Sequence, residues 1–89
     1  MLKTKNIFLN KKILIYGAGK TGLSCYQYLK KNNEIYIFDD FGLNKKNRKI
    51  KNNFIKYKNI NNTIFDHIII SPGINIEKCM LSKYLIIFF

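Results

Sequence analysis

Tryptophan is absent from this chain, and proline, arginine and histidine occur once each, as Pro72, Arg48 and His67. Acids are scarce too, with five in 89 residues. Each scarcity excludes something. One histidine, two isolated cysteines (Cys25 and Cys79) and a few scattered carboxylates offer no C-x-x-C spacing and no readable metal-ligand set. The same shortage leaves no nucleophile with a base to activate it, so no catalytic residue is assigned and His67 is read as structural. Two separated thiols suit a reducing compartment. No apolar run approaches ~18 residues, and Ile7-Phe8-Leu9 is too short for the core of a signal peptide. A cytoplasmic chain with no membrane partner is therefore expected.

What is abundant is lysine, and the formal net charge is +11. A charge of that size points to nucleic acid in many small proteins. Here lysine (15), asparagine (12) and isoleucine (16) are all in excess, and all three have A- and T-rich codons. A base-composition bias explains the three together, whereas selection for a polyanion would not raise asparagine or isoleucine. Arg48 stands alone among the lysines, although forked arginine contacts are the favoured readers of phosphates and bases. A solvated basic surface is the expectation, with no nucleic-acid partner.

The chain is long enough for one small domain, taken as 1–89, and short for a complete two-substrate enzyme. Ile13-Leu14-Ile15-Tyr16 is an uninterrupted apolar run of the type buried on both faces of a parallel sheet. Lys20 to Lys31 follows with an apolar stripe at Leu23, Tyr26 and Leu29, and Lys30-Lys31 in its last turn. Glu34 to Phe38 is a second strand. These segments make a strand–turn–helix–strand unit of about 30 residues. Beyond it, Phe41 to Asn53 reads as a basic loop with room for one poor helical turn, Phe54 to Tyr57 as a short strand, and Asn61 to Phe65 as a small helix with Ile64 and Phe65 inward. His67 to Ile70 is another buried strand, broken by Ser71-Pro72-Gly73. Glu77 to Tyr84 has helical spacing, and Leu85 to Phe89 is either a last strand or the point where a longer reading frame is cut. The fold class expected is α/β, a Rossmann-like three-layer domain with a mostly parallel sheet.

The stretch Tyr16-Gly17-Ala18-Gly19-Lys20-Thr21-Gly22 holds the chemistry. Gly19-Lys20-Thr21 resembles the end of an ATP-binding P-loop, but that motif requires glycine where Leu14 stands, inside the first strand. Gly17, Gly19 and Gly22 instead fit G-x-G-x-x-G. Gly17 allows the tight turn, Gly19 lets backbone approach a pyrophosphate, and Gly22 lets helix pack on sheet. The N–H groups of Lys20, Thr21 and Gly22 open the helix, where the macrodipole favours phosphate. An acid is expected at the end of the second strand, and Asp39 lies 22 positions beyond Gly17 with Asp40 beside it. The turn alone does not separate NAD, FAD and UDP-sugars. Ser71, Pro72 and Gly73 fall beyond another strand's C-terminal end, on the same rim of the sheet, where open α/β sheets bind ligands. Taken alone that loop is an ordinary strand-ending turn.

Ile13 to Cys25 with its Gly-x-Gly-x-Thr-Gly-Leu-Ser string, Phe38-Asp39, and Ile69 to Ile74 with Ser-Pro-Gly-Ile resemble the N-terminal domain of the Mur ligases. Within that family they are most similar to the branch that adds D-glutamate in peptidoglycan synthesis; the L-alanine-adding branch typically has a Ser-Ser-Ala-type loop. The resemblance runs from about Lys12 to Leu81, and the basic middle matches poorly. It implies a Rossmann-like domain that binds the UDP part of UDP-N-acetylmuramoyl-L-alanine. By position, the backbone at Lys20, Thr21 and Gly22 would hold the diphosphate. Asp39 and Asp40 would lie against uracil or its ribose, with Asp40 departing from the more usual threonine. Gly73 would approach phosphate and sugar from the other side. The resemblance also implies ATP and magnesium for the full-length enzyme, which makes an acyl phosphate that D-glutamate attacks. Those steps need central and C-terminal domains absent from this chain, so a truncated ligase portion that binds no cofactor itself and is incomplete as a catalyst is expected. A small NAD(H)- or FAD-binding Rossmann module is the alternative. If the basic surface serves no nucleic acid, fluorescence anisotropy with DNA or RNA should lack the steep loss of affinity between roughly 50 and 200 mM salt that marks a dedicated binder.

Overall fold

The computed structural model describes residues 9–42 and 50–82. Strand β1 (Lys12–Tyr16) runs into a glycine turn and helix α1 (Lys20–Leu29), and β2 (Glu34–Phe38) follows. Helix α2 (Tyr57–Ile60) and β3 (His67–Ile70) complete the order. The three strands form one parallel sheet in the order β2-β1-β3. Ile13 pairs with Ile35 on one side and with His67 on the other. The expected α/β Rossmann-like fold is thus present.

Central placement explains the composition of β1. Side chains alternate across a strand, so a strand covered on both faces must be apolar at every position. Ile13 and Ile15 join Ile35, Ile37 and Leu29 on the α1 face. Leu14 and Tyr16 join Phe38, Ile60, Phe65 and Leu81 on the opposite face. All four of these β1 side chains are completely buried. The result is three layers, with α1 on one side of the sheet and α2 with its flanking turns on the other.

Polar groups set where the strands start. The main chain of Lys12 donates to Asp66 Oδ2 at 2.8 Å, and Asp66 N–H returns a bond to the Lys12 carbonyl at 2.7 Å. This reciprocal pair places β3 beside β1. Helix α1 stops at Leu29, short of the expected Lys31, because Asn33 Nδ2 donates to the Leu29 carbonyl at 3.0 Å. Lys30 is the C-cap, its N–H still on the Tyr26 carbonyl at 2.9 Å, and Lys31 lies past the helical segment.

Three further expectations are corrected. Phe54 to Tyr57 is not a strand: Phe54 forms an isolated bridge with Ile37, and the chain then turns into α2 at Tyr57. The turn lets Ile60 reach the sheet face under Phe38, where it is fully buried. The small helix thus ends before Asn61, and Ile64 points outward at 86% exposure while Phe65 is buried as expected. From Glu77 to Leu81 the chain makes successive turns, with Lys78 N–H on Asn75 O and Ser82 N–H on Cys79 O. Tyr84 and the apolar Leu85 to Phe89 lie outside the described residues, as does most of the basic loop. Among the described residues no helix is long and apolar enough to cross a membrane.

Because β1 is packed on both faces, even one methyl group counts. Ile15→Val should lower unfolding stability by about 1 kcal/mol in urea titration, through lost burial and a small cavity. No measurable change would contradict the two-sided packing.

Candidate functional site

The site is built around the end of β1. Gly17 has φ +116°, a left-handed conformation that side chains rarely adopt, and its N–H bonds the Phe38 carbonyl at 2.7 Å. A β-carbon there would also collide with the Ser71 side chain. A β-carbon on Gly22 would overlap the Gly17 carbonyl, so the first turn of α1 closes directly over the glycine turn. Gly19 differs from both. Its backbone is extended and, among the described residues, a β-carbon on it would meet nothing within 4 Å. Gly17 and Gly22 are demanded by packing within the chain; Gly19 is not.

Gly19 is the N-cap of α1, with no side-chain cap bond and no acid in the first turn. Leu23 N–H begins the helical ladder on the Gly19 carbonyl at 2.9 Å. The positive end of the helix dipole at Lys20, Thr21 and Gly22 therefore meets no acidic side chain of its own first turn. Lys20 and Thr21 are exposed beside it.

Asp39 fastens the end of β2 to this turn. Its Oδ2 accepts Ala18 N–H at 2.8 Å and its Oδ1 accepts Phe41 N–H at 2.9 Å. Asp40 faces the other way: Oδ1 accepts the Tyr16 hydroxyl at 2.6 Å and Oδ2 accepts Met80 N–H at 3.3 Å. Burial, and then the Asp40 carboxylate beside it, push the Tyr16 phenol far above its ordinary pKa, so it remains a neutral donor.

The Ser-Pro-Gly loop reaches the same rim. Ser71 N–H bonds the Tyr16 carbonyl at 3.0 Å, and Ile74 N–H bonds Ser71 O at 3.1 Å. Pro72 and Gly73 are exposed, with open space above Gly73. An open cleft of about 380 Å³ runs between the turn, the acids and this loop. Gly17, Gly19, Lys20, Thr21, both acids and Ser71 to Gly73 all line it. Gly22, buried behind the turn, does not.

Three lining residues were not assigned to the site from the sequence. Tyr16 opens the glycine stretch and Ile74 closes the Ser-Pro-Gly-Ile string, but a strand-ending aromatic and an apolar loop residue read as core. Phe41 is 98% exposed at the cleft edge, and only its place next to the acid pair hints at a role.

Parallel sheet, crossover helix and glycine turn define a small Rossmann-like α/β domain whose cleft sits at the C-terminal ends of the strands. The family described as Mur ligase MurD-like, N-terminal domain, matches residues 11–85, and the chain belongs to it. A Rickettsia prowazekii (strain Madrid E) UDP-N-acetylmuramoylalanine–D-glutamate ligase is 35% identical over 72 residues, covering 78% of this chain and 16% of that protein. The ligase of the same name from Wolbachia pipientis wMel is 36% identical over 82 residues, covering 88% of this chain and again 16% of the relative. The chain thus spans about a sixth of the length of these ligases. No solved structure gives a significant match.

ATP and magnesium, implied by the family for the whole enzyme, do not fit the described residues. Leu14 replaces the glycine that would open a triphosphate loop. Among the described residues, no three His, Cys, Asp or Glu side chains are grouped to hold a metal ion. None of the described residues is therefore assigned to Mg-ATP chemistry.

The glycines should separate by substitution. Gly22→Ala is expected to cost ~1–3 kcal/mol or more by overpacking against backbone. Gly19→Ala should cost under about 1 kcal/mol, the difference between two N-cap residues. Thermal unfolding of both variants checks the contrast, and equal losses would refute it.

Proposed function

We propose that this chain is the part of a D-glutamate-adding ligase that binds the UDP end of UDP-N-acetylmuramoyl-L-alanine, and that it does not catalyse ligation by itself. The observation that carries the reading is the opening at Gly19: a glycine that packing among the described residues does not require faces a cleft walled by both loops. In this reading the diphosphate lies over the N–H groups of Lys20, Thr21 and Gly22, with the Lys20 ammonium adding attraction. Both carboxyls of the acid pair already accept bonds, yet each carboxylate oxygen has a second lone pair. Asp39 is placed to receive a donor from uracil or its ribose, with Asp40 beside it. Gly73 allows sugar and phosphate to approach the opposite wall, which Pro72 stiffens.

Family membership and the names of the two relatives support a UDP-sugar over NAD(H) or FAD. Activation of the substrate carboxylate with ATP and magnesium, and delivery of D-glutamate, fall to the remaining length of the relatives, which is also this chain's partner. The same reading puts the protein in the cytoplasm.

Calorimetric titration of the 89-residue chain with UDP-N-acetylmuramoyl-L-alanine and with NADH tests the ligand. The UDP compound should bind more tightly, and Gly19→Ala should weaken it about tenfold or more while the fold holds. Tighter NADH binding would overturn the reading. A turnover assay with ATP and D-glutamate should give no ligated product.

A further inference from the structure

Tyr16 ends β1 with its ring fully buried, yet it touches three walls of the cleft. Its carbonyl accepts Ser71 N–H at 3.0 Å and holds the Ser-Pro-Gly loop. Its hydroxyl donates to Asp40 Oδ1 at 2.6 Å and accepts Leu81 N–H at 3.4 Å. Asp40 completes the circuit by accepting Met80 N–H at 3.3 Å. The segment that follows the Ser-Pro-Gly loop is thereby tied, across the mouth of the sheet, to the end of β2. Leu81 is buried at the join, while Met80 stays half exposed.

We propose that Tyr16 and Asp40 form a latch that sets the separation of the acid-bearing wall and the Ser-Pro-Gly wall, and so tunes affinity for the nucleoside part of a nucleoside diphosphate. The proposal rests on the nucleotide reading above and refines one part of it. Asp40 holds the Tyr16 hydroxyl with one oxygen and Met80 N–H with the other, so in the latch its effect runs through the wall it holds. The latch is separate from the diphosphate cradle, which is main chain at the start of α1. Loosening it should therefore spare a ligand that occupies only the cradle. A phenol donating to a carboxylate that also takes a main-chain N–H is the right chemistry for a fixed strut, because the buried hydroxyl has both an acceptor and a donor partner.

Two variants open the latch without emptying the core. Tyr16→Phe keeps the ring and loses the hydroxyl. Asp40→Asn keeps one acceptor and turns an NH2 group toward the other donor. Each is titrated with UDP and, separately, with inorganic pyrophosphate by NMR, with circular dichroism to verify folding and amide exchange read at Met80 and Leu81. UDP affinity should fall about five- to tenfold in both variants, pyrophosphate affinity should stay within about twofold, and the two amides should exchange faster. Unchanged UDP affinity in a folded Tyr16→Phe would overturn the latch. Equal losses for UDP and pyrophosphate would overturn it in favour of general loosening. Weaker UDP binding with unchanged exchange would mean direct contact and also overturn it. Wild-type chain that takes pyrophosphate but gains nothing from the nucleoside would sink the nucleotide reading, and the latch's role in affinity with it.

Discussion

The first turn of α1 lies against the glycine turn so closely that Gly22 has no room for a β-carbon beside the Gly17 carbonyl. The other features of the site follow from that approach. It brings the helix N-terminus to the end of β1 rather than a side chain's width away. It leaves Gly17 in a left-handed conformation whose N–H bonds Phe38, which joins the turn to β2. It also leaves Ala18 N–H within reach of Asp39. A helix dipole, a turn and an acid converge because one pair of glycines lets backbone meet backbone.

The cleft's second wall depends on the same turn from the other side. Ser71 sits where a side chain on Gly17 would be, and its N–H bonds the carbonyl of Tyr16. Gly17 is therefore constrained twice, by its φ and by its neighbour, before any ligand is considered. Gly19 is constrained by neither, which makes it the informative glycine. In a sequence motif all three look equivalent; only their surroundings divide them into two positions that packing demands and one that opens on the cleft.

The parts legible in the sequence share a physical cause. β1 was legible because burial on both faces demands four apolar residues in a row, and β2 and β3 because β-branched and aromatic residues follow strand-like patterns between polar breaks. Asp39 was legible from its distance to Gly17, since strand and helix lengths fix that spacing in a crossover unit. The region from Phe54 to Phe65 was misread by a few residues. Its side chains have no period of their own, and Ile60 and Phe65 were drawn inward by a surface made of Leu14, Tyr16 and Phe38. Ile64, equally apolar in sequence, was left in solvent by the same turn.

Local sequence by itself determined the strand–turn–helix–strand unit, the unsuitability of the turn for a triphosphate and the position of the acid. These follow from backbone sterics, apolar pattern and fixed element lengths. Only the tertiary structure decided that Ser71 would press on Gly17, that Tyr16 would use its hydroxyl, and that Asp40 would face Met80 rather than open solvent. Those contacts join residues up to 65 positions apart, such as Tyr16 and Leu81. Chain separation of that order leaves no trace in local pattern, because the partners meet only after the sheet has assembled.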